Sequence, residues 1–215
     1  MDTAKDCIAF LQLTAGRDKV YRTLQYLSRL LLRVRFNNDD DDDDGGTSLA
    51  SLFLQAFESH MTISRKLFRL FNVFEFAIRA LEARQNPDVV VSALETCSLL
   101  LKSLWMVFDH VIWLSKALHI PFDAESMARK SNWTWLLALI LCVVQDIYKI
   151  KIRKTQQSYW DLIRDTCDLL IPVGNLRLIG WHDRGSAGLF GVISSLMRAS
   201  EIWTKEIRTR KTRRY

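Results

Sequence analysis

Met61-Thr62-Ile63-Ser64-Arg65-Lys66-Leu67-Phe68-Arg69-Leu70-Phe71-Asn72-Val73-Phe74-Glu75-Phe76-Ala77-Ile78-Arg79-Ala80-Leu81-Glu82-Ala83-Arg84 is the stretch on which the reading of this chain turns. It holds no proline and no glycine, and its apolar residues recur at helical spacing. With Ile63 at zero and about 100° per residue, Leu67, Leu70, Phe71, Phe74, Ala77, Ile78 and Leu81 fall in one sector about 120° wide. Arg65, Arg69, Asn72 and Arg79 lie on the far side, with Glu75 and Glu82 at its edge. An apolar face beside a mainly basic one suits a helix lying in a membrane interface. A bundle helix that buries one stripe has the same periodicity, so this segment alone leaves both readings open. Phe68 and Phe76 sit on the polar side, which implies contact with another helix or another copy of the chain.

Upstream, Asp2–Phe36 reads as helix with a break near Gly16. Val20, Leu24, Leu27, Leu31 and Val34 define one apolar face, and Arg22, Arg29 and Arg33 fall together opposite it. Asn37-Asn38, the aspartates Asp39 to Asp44 and Gly45-Gly46 then form a linker, because adjacent carboxylates repel and resist burial. A calcium loop needs spaced ligands, which this run lacks.

Downstream, the helix that opens near Ser48 runs with some interruption to Asn86-Pro87-Asp88. The apolar stretch Val89–Ile120 follows, carrying only Glu95, Lys102, Asp109 and Lys116 as formal charges. After His119-Ile120-Pro121, Phe122–Ser131 reads as a polar loop. Leu136–Val144 is the most continuous apolar run and is stopped by the basic cluster Lys149–Lys154. Crossing hydrocarbon takes roughly 20 apolar residues. Asn132–Tyr148 meets this only with Trp133 and Trp135 anchoring one interface and Tyr148 with Lys149 the other; a core helix fits equally well. A further helix from Ser158 is expected to end or kink at Pro172 and Gly174. Glycines Gly185, Gly188 and Gly191 lead into the apolar patch Leu189–Met197, with Gly188 and Gly191 near the spacing that lets membrane helices approach closely.

The formal charge is +6 despite the acidic run, which suits an anionic partner. Seven Trp and eleven Phe in a basic helical chain favour a membrane surface over nucleic acid, and no nucleic-acid-binding signature is present. The first twenty residues, with an acidic start and a short apolar stretch, do not read as a cleaved secretory signal. Cys7, Cys97, Cys142 and Cys167 form no CxxC pair, and the four histidines show no metal-ligand spacing. No phosphate loop or dinucleotide fingerprint occurs. Asp109 and His110 are adjacent on a helix and so do not face each other. Asp109 is better read as a polar group held inside a bundle beside a basic side chain. The expectation is a non-enzymatic chain with no cofactor and no metal.

Thr14-Ala15-Gly16-Arg17-Asp18-Lys19-Val20-Tyr21-Arg22, continuing to Gln25-Tyr26, resembles the N-terminal signature of the peroxin-11 family of peroxisomal membrane proteins. Ser64-Arg65-Lys66-Leu67-Phe68-Arg69-Leu70-Phe71 looks like that family's second signature. Phe108-Asp109-His110-Val111-Ile112-Trp113-Leu114 resembles a third segment, although the residue after Asp is more often Asn or Gln there. Gly188–Leu196 resembles the last apolar segment. The four matches occur in family order along nearly the whole chain. The resemblance implies a peroxisomal membrane location, self-association, and elongation of the organelle before division. It also implies an amphipathic helix acting on anionic phospholipid, cooperation with dynamin-related fission machinery, and, as an alternative, a metabolite pore. The C-terminal Arg213-Arg214-Tyr215 is not a peroxisomal matrix address.

The expected fold is therefore all-α: a multi-helix membrane-associated bundle with amphipathic N-terminal helices and short hydrophobic C-terminal ones. Its expected segments are an amphipathic helical region at 1–38, an acidic linker at 39–47, a remodelling helix region at 48–86, a hydrophobic region at 87–204 and a basic tail at 205–215. The residues expected to bind membrane are Ile63, Arg65, Lys66, Leu67, Arg69, Leu70, Phe71, Phe74, Ile78 and Leu81. Expected partners are an anionic phospholipid membrane, further copies of the chain and the fission machinery, with no nucleic acid.

Overall fold

The computed structural model describes the backbone of residues 2–36, 49–153, 156–179 and 184–213. The acidic run and the His182-Asp183 pair lie outside the described residues. Among those described the fold is all-α, with helices α1 (Asp2–Gln12), α2 (Thr14–Phe36), α3 (Leu49–Phe68), α4 (Asn72–Ala83), α5 (Val89–Ala117), α6 (Ala124–Arg153), α7 (Gln156–Asn175) and α8 (Arg184–Arg213). They form two compact units. One comprises residues 1–65 with 184–215, and the other residues 66–183.

In the first unit α2 packs along α8, and α1 lies against both. The glycines of α8 explain how closely. A Cβ on Gly188 would stand 2.9 Å from the backbone nitrogen of Leu30 and 3.1 Å from the carbonyl oxygen of Tyr26. A Cβ on Gly191 would run into the Tyr26 ring, and one on Gly185 into the Arg33 side chain. Since 185, 188 and 191 meet 33, 30 and 26 in reverse order, the two helices are antiparallel. The glycine-rich segment is thus helical, and small residues serve to bring two helix backbones together. Phe10 is buried and its ring packs 5.6 Å from that of Trp203. The expected break at Gly16 falls instead at Leu13, between α1 and α2. Gly16 lies inside α2, where a Cβ would collide with the Phe10 carbonyl.

The second unit is a run of antiparallel neighbours, α4 on α5, α5 on α6 and α6 on α7. Asp88 starts α5 by accepting the amides of Val90 and Val91 at 3.0 and 3.1 Å, satisfying two donors of the first turn. The α5–α6 register is read from Glu95 with Gln145, Lys102 with Cys142, Trp105 with Trp135 and Asp109 with Ser131.

Two expectations, on the loop after Pro121 and on the length of the C-terminal helices, need correction here. Phe122–Ser131 is not a loop throughout, because Asp123 accepts the Ser126 amide at 3.0 Å and α6 starts at Ala124. α6 carries the basic residues Lys149 to Arg153 in its last turns, and α7 holds Pro172 inside it and ends at Asn175, beside Gly174. The C-terminal helices are also not short, α6 and α8 having 30 residues each.

Candidate membrane interface

Several of these helices bury polar residues while leaving a stripe of large apolar ones exposed. On α2, Asp18, Arg22, Gln25 and Ser28 are buried while Leu27, Leu31 and Val34 are exposed. The apolar face expected from the sequence is thus real, but it is the outer one. On α8, Gly188, Gly191, Ser194 and Ser195 are inside and Leu189, Ile193 and Leu196 outside. On α5, Ser98, Asp109 and Ser115 are buried together with Val91, Leu99, Met106 and Ile112, whereas Leu100, Leu104, Val107, Val111 and Leu114 form an exposed stripe at helical spacing. On α6 the exposed stripe is Trp133, Leu137, Ile140, Val144 and Ile147. Among the described residues, exposed large apolar side chains outnumber the buried hydrophobic ones. A fold that had to face water on these surfaces would forfeit about 1.5–3 kcal/mol for each large side chain left fully wet.

Buried charge is costly unless it is paired and hydrogen-bonded; the charges around Asp18 and Asp109 are paired, whereas Oδ2 of the buried Asp146 has no hydrogen-bond partner. In the first unit Arg65 Nε donates to Asp18 Oδ1 at 3.1 Å and Arg65 Nη1 donates to the Gln25 side-chain oxygen. Arg29 Nε donates to Glu58 Oε1 at 2.8 Å. The guanidinium groups of Arg22 and Arg29 lie 5.5 and 5.2 Å from the centre of the Tyr26 ring, within cation–π range. Lys19 donates to Asp18 Oδ2 at 2.6 Å. Burial outweighs that carboxylate, and together with Arg22 and Arg65 it lowers the Lys19 pKa to about 8.

In the second unit Asp109 is the centre of the polar contacts. Lys66 Nζ donates to its Oδ1 at 2.8 Å, and Arg69 Nη2 approaches its Oδ2 at 3.4 Å. The Arg69 guanidinium also lies 5.3 Å from the centre of the Trp105 ring, which stacks on Trp135 at 5.0 Å. His110 Nε2 is 3.1 Å from the backbone carbonyl of Arg69. The expected role of Asp109, a polar group held beside a basic side chain, is the one observed.

The segment 61–84 is thus two helices joined by a turn at Arg69–Phe71. Six of the ten residues singled out from the sequence are exposed: Ile63, Leu67, Phe71, Phe74, Ile78 and Leu81. Leu70 is half-buried. Arg65, Lys66 and Arg69 are turned inward by their carboxylate partners rather than presented to the surroundings. Phe76 is half-buried on a helix that packs against α5, where Ser103 and Thr96 bond the carbonyls of Val73 and Ala80. What the periodicity missed are the partners, Asp18, Gln25 and Asp109. The available signal was that all three lie in the segments carrying the family resemblance.

Among the described residues α5 is the one helix long and apolar enough to cross a membrane, and most of its apolar window is unburied. Exposed apolar stripes around buried ion pairs are an arrangement that suits a membrane protein of the α-helical class.

The profile of the peroxisomal biogenesis factor 11 (PEX11) family matches residues 4–160 and 152–203, and the chain belongs to that family. It is 29% identical over 152 residues to peroxisomal membrane protein 11B of Pongo abelii, covering 70% of this chain and 56% of that protein. Against the Homo sapiens 11B protein the identity is 33% over 106 residues, 49% of this chain and 41% of the relative. Peroxisomal membrane protein PMP27 of Saccharomyces cerevisiae is 24% identical over 233 residues, covering 91% and 92%. The match thus spans about half the length of the two 11B relatives and nearly all of the yeast one. No solved structure matches the chain. The protein is a peroxisomal membrane protein of this family.

Proposed function

We propose that this protein elongates peroxisomes and promotes their proliferation and division by inserting the outer face of residues 61–84 into one leaflet of an anionic bilayer. The observation that carries the reading is that this face is apolar and uncovered. Phe71, Phe74, Ile78 and Leu81 are 57–72% exposed. At roughly two thirds exposure each would gain about 1–2 kcal/mol on entering lipid, or about 4–8 kcal/mol for the four. Shallow insertion enlarges one leaflet, and self-association of copies concentrates the effect. Elongated membrane then becomes the substrate of dynamin-related fission machinery. The role is structural rather than enzymatic.

A metabolite pore is the second reading, favoured by the polar groups along the α5–α6 seam. That seam packs its own polar groups together: Glu95 with Gln145, Lys102 with Cys142, Asp109 with Lys66 and Ser131. Such pairing describes a closed helix contact better than a water-filled passage.

Reconstitution of the full chain into phosphatidylserine-containing vesicles tests the leading reading. Wild type is expected to draw the vesicles into tubules, and the Phe71→Glu, Phe74→Glu variant to remain in the membrane without doing so. Equal tubulation by both would remove the outer face of this segment from the mechanism.

A further inference from the structure

The turn between α3 and α4 has no cause in its own sequence. Residues 66–74, Lys-Leu-Phe-Arg-Leu-Phe-Asn-Val-Phe, contain neither glycine nor proline, the usual reasons for a broken helix. Phe71, at the N-cap of α4, has φ −99° and ψ 0° and makes no side-chain cap. The backbone bonds across the turn are all of the tighter i to i−3 kind. Arg69 N donates to Lys66 O at 3.3 Å, Leu70 N to Leu67 O at 3.1 Å, Asn72 N to Arg69 O at 3.0 Å and Phe74 N to Phe71 O at 3.1 Å. The chain here is an over-tightened helix, one small rotation per residue away from the regular form.

The cause is tertiary. Asp109 holds Lys66 and Arg69 from α5, and the next residue, His110, bonds the Arg69 carbonyl. In an unbroken helix that carbonyl would accept the amide of Val73. The bond requires the Nε2–H tautomer, and it ties to α5 the same carbonyl that accepts the Asn72 amide in the tightened turn. Meanwhile the apolar residues on either side of the turn, Leu67 before it and Phe71, Phe74, Ile78 and Leu81 after it, are all exposed. Their spacing fits one uninterrupted helix across residues 61–84.

We propose that Asp109 is a latch that keeps this helix broken, and that headgroups of net negative charge open it by taking Lys66 and Arg69 away from the carboxylate. Two cations share one carboxylate, and both side chains keep some exposure, 15% and 12%. A surface of anionic lipid offers each of them an anion of its own that no choline group neutralises. Once freed, the segment closes its i to i−4 bonds and presents one apolar sector instead of two. Anionic lipid therefore both attracts the segment and completes it. This inference rests on the membrane-inserting role of residues 61–84 and names how that role is regulated.

Hydrogen exchange of the full chain, read at amides 69–74 relative to amides 76–83, tests it. The latter are helical in both states, so the ratio cancels the protection due to insertion alone. In vesicles of phosphatidylcholine the turn amides of wild type are expected to exchange faster. In equal mixtures of phosphatidylcholine and phosphatidylserine they should slow by about tenfold relative to α4. Asp109→Asn should show the slow ratio already in phosphatidylcholine, and His110→Phe, which leaves the ion pairs in place, should shift it in the same direction by less. A ratio in wild type that is the same in both lipids overturns the latch, whether or not the variants fold. Tubulation with an unchanged ratio removes the latch and keeps the remodelling role; a slowed ratio without tubulation keeps the latch and removes that role.

Discussion

Replacing Gly188 by alanine sets two effects of known sign against each other. Alanine is a better helix former than glycine by about 1 kcal/mol, so on an isolated α8 the change would stabilise. Against α2 it would not. The added carbon would stand 2.9 Å from Leu30 N, and 3.1 Å from both Leu30 Cα and Tyr26 O. These are backbone atoms, which cannot swing aside as a side-chain tip can. Overpacking of this kind costs about 1–3 kcal/mol, leaving a net loss of about 0–2 kcal/mol for alanine. For Gly188→Leu the added volume takes the loss beyond about 3 kcal/mol. Exchange of the α2 amides at residues 26–32, measured on detergent-solubilised protein, reports this contact directly. Those amides should exchange up to about thirtyfold faster in Gly188→Ala, the factor that about 2 kcal/mol represents, and far faster in Gly188→Leu. Slower exchange in Gly188→Ala would mean that propensity alone acts at this site, and the close approach of α2 and α8 would be refuted.

Two further outcomes follow from local chemistry. Asp88→Ala removes the side-chain acceptor of the Val90 and Val91 amides and should cost about 1 kcal/mol, seen as faster exchange in the first turn of α5 with the rest of the helix unchanged. Lys19, with its folded pKa lowered to about 8 from 10.5, binds fewer protons in the folded than in the unfolded chain between those values. Stability should therefore rise with pH across that window, and thermal unfolding of Lys19→Met should lose that part of the rise.

Several of these features could be read from the residues alone. The helices were legible because apolar residues recur with the helical period on 20–34, 61–84 and 89–120. Asn86-Pro87-Asp88 marked a boundary because proline and an N-capping aspartate act locally. The Ala124 start of α6 was missed because a polar first turn looks like a loop until its cap is seen. The spacing of Gly188 and Gly191 pointed to a close helix approach, but which helix backbone they meet, that of Tyr26 and Leu30, was set by the tertiary fold.

The outer segment 61–84 shows where that legibility stops. Periodicity determined that Ile63, Leu67, Phe71, Phe74, Ile78 and Leu81 share one face, since this depends only on the angle between successive residues. It had no means of telling whether that face looks toward a core or outward. That was decided by contacts distant in sequence: Asp18 and Gln25 hold Arg65, while Asp109 holds Lys66 and Arg69. A buried cation must have its anion, so the carboxylates fixed which side of each helix is the inside. The apolar side was left outward, and the helix was broken at Arg69–Phe71, where its own residues would have let it continue.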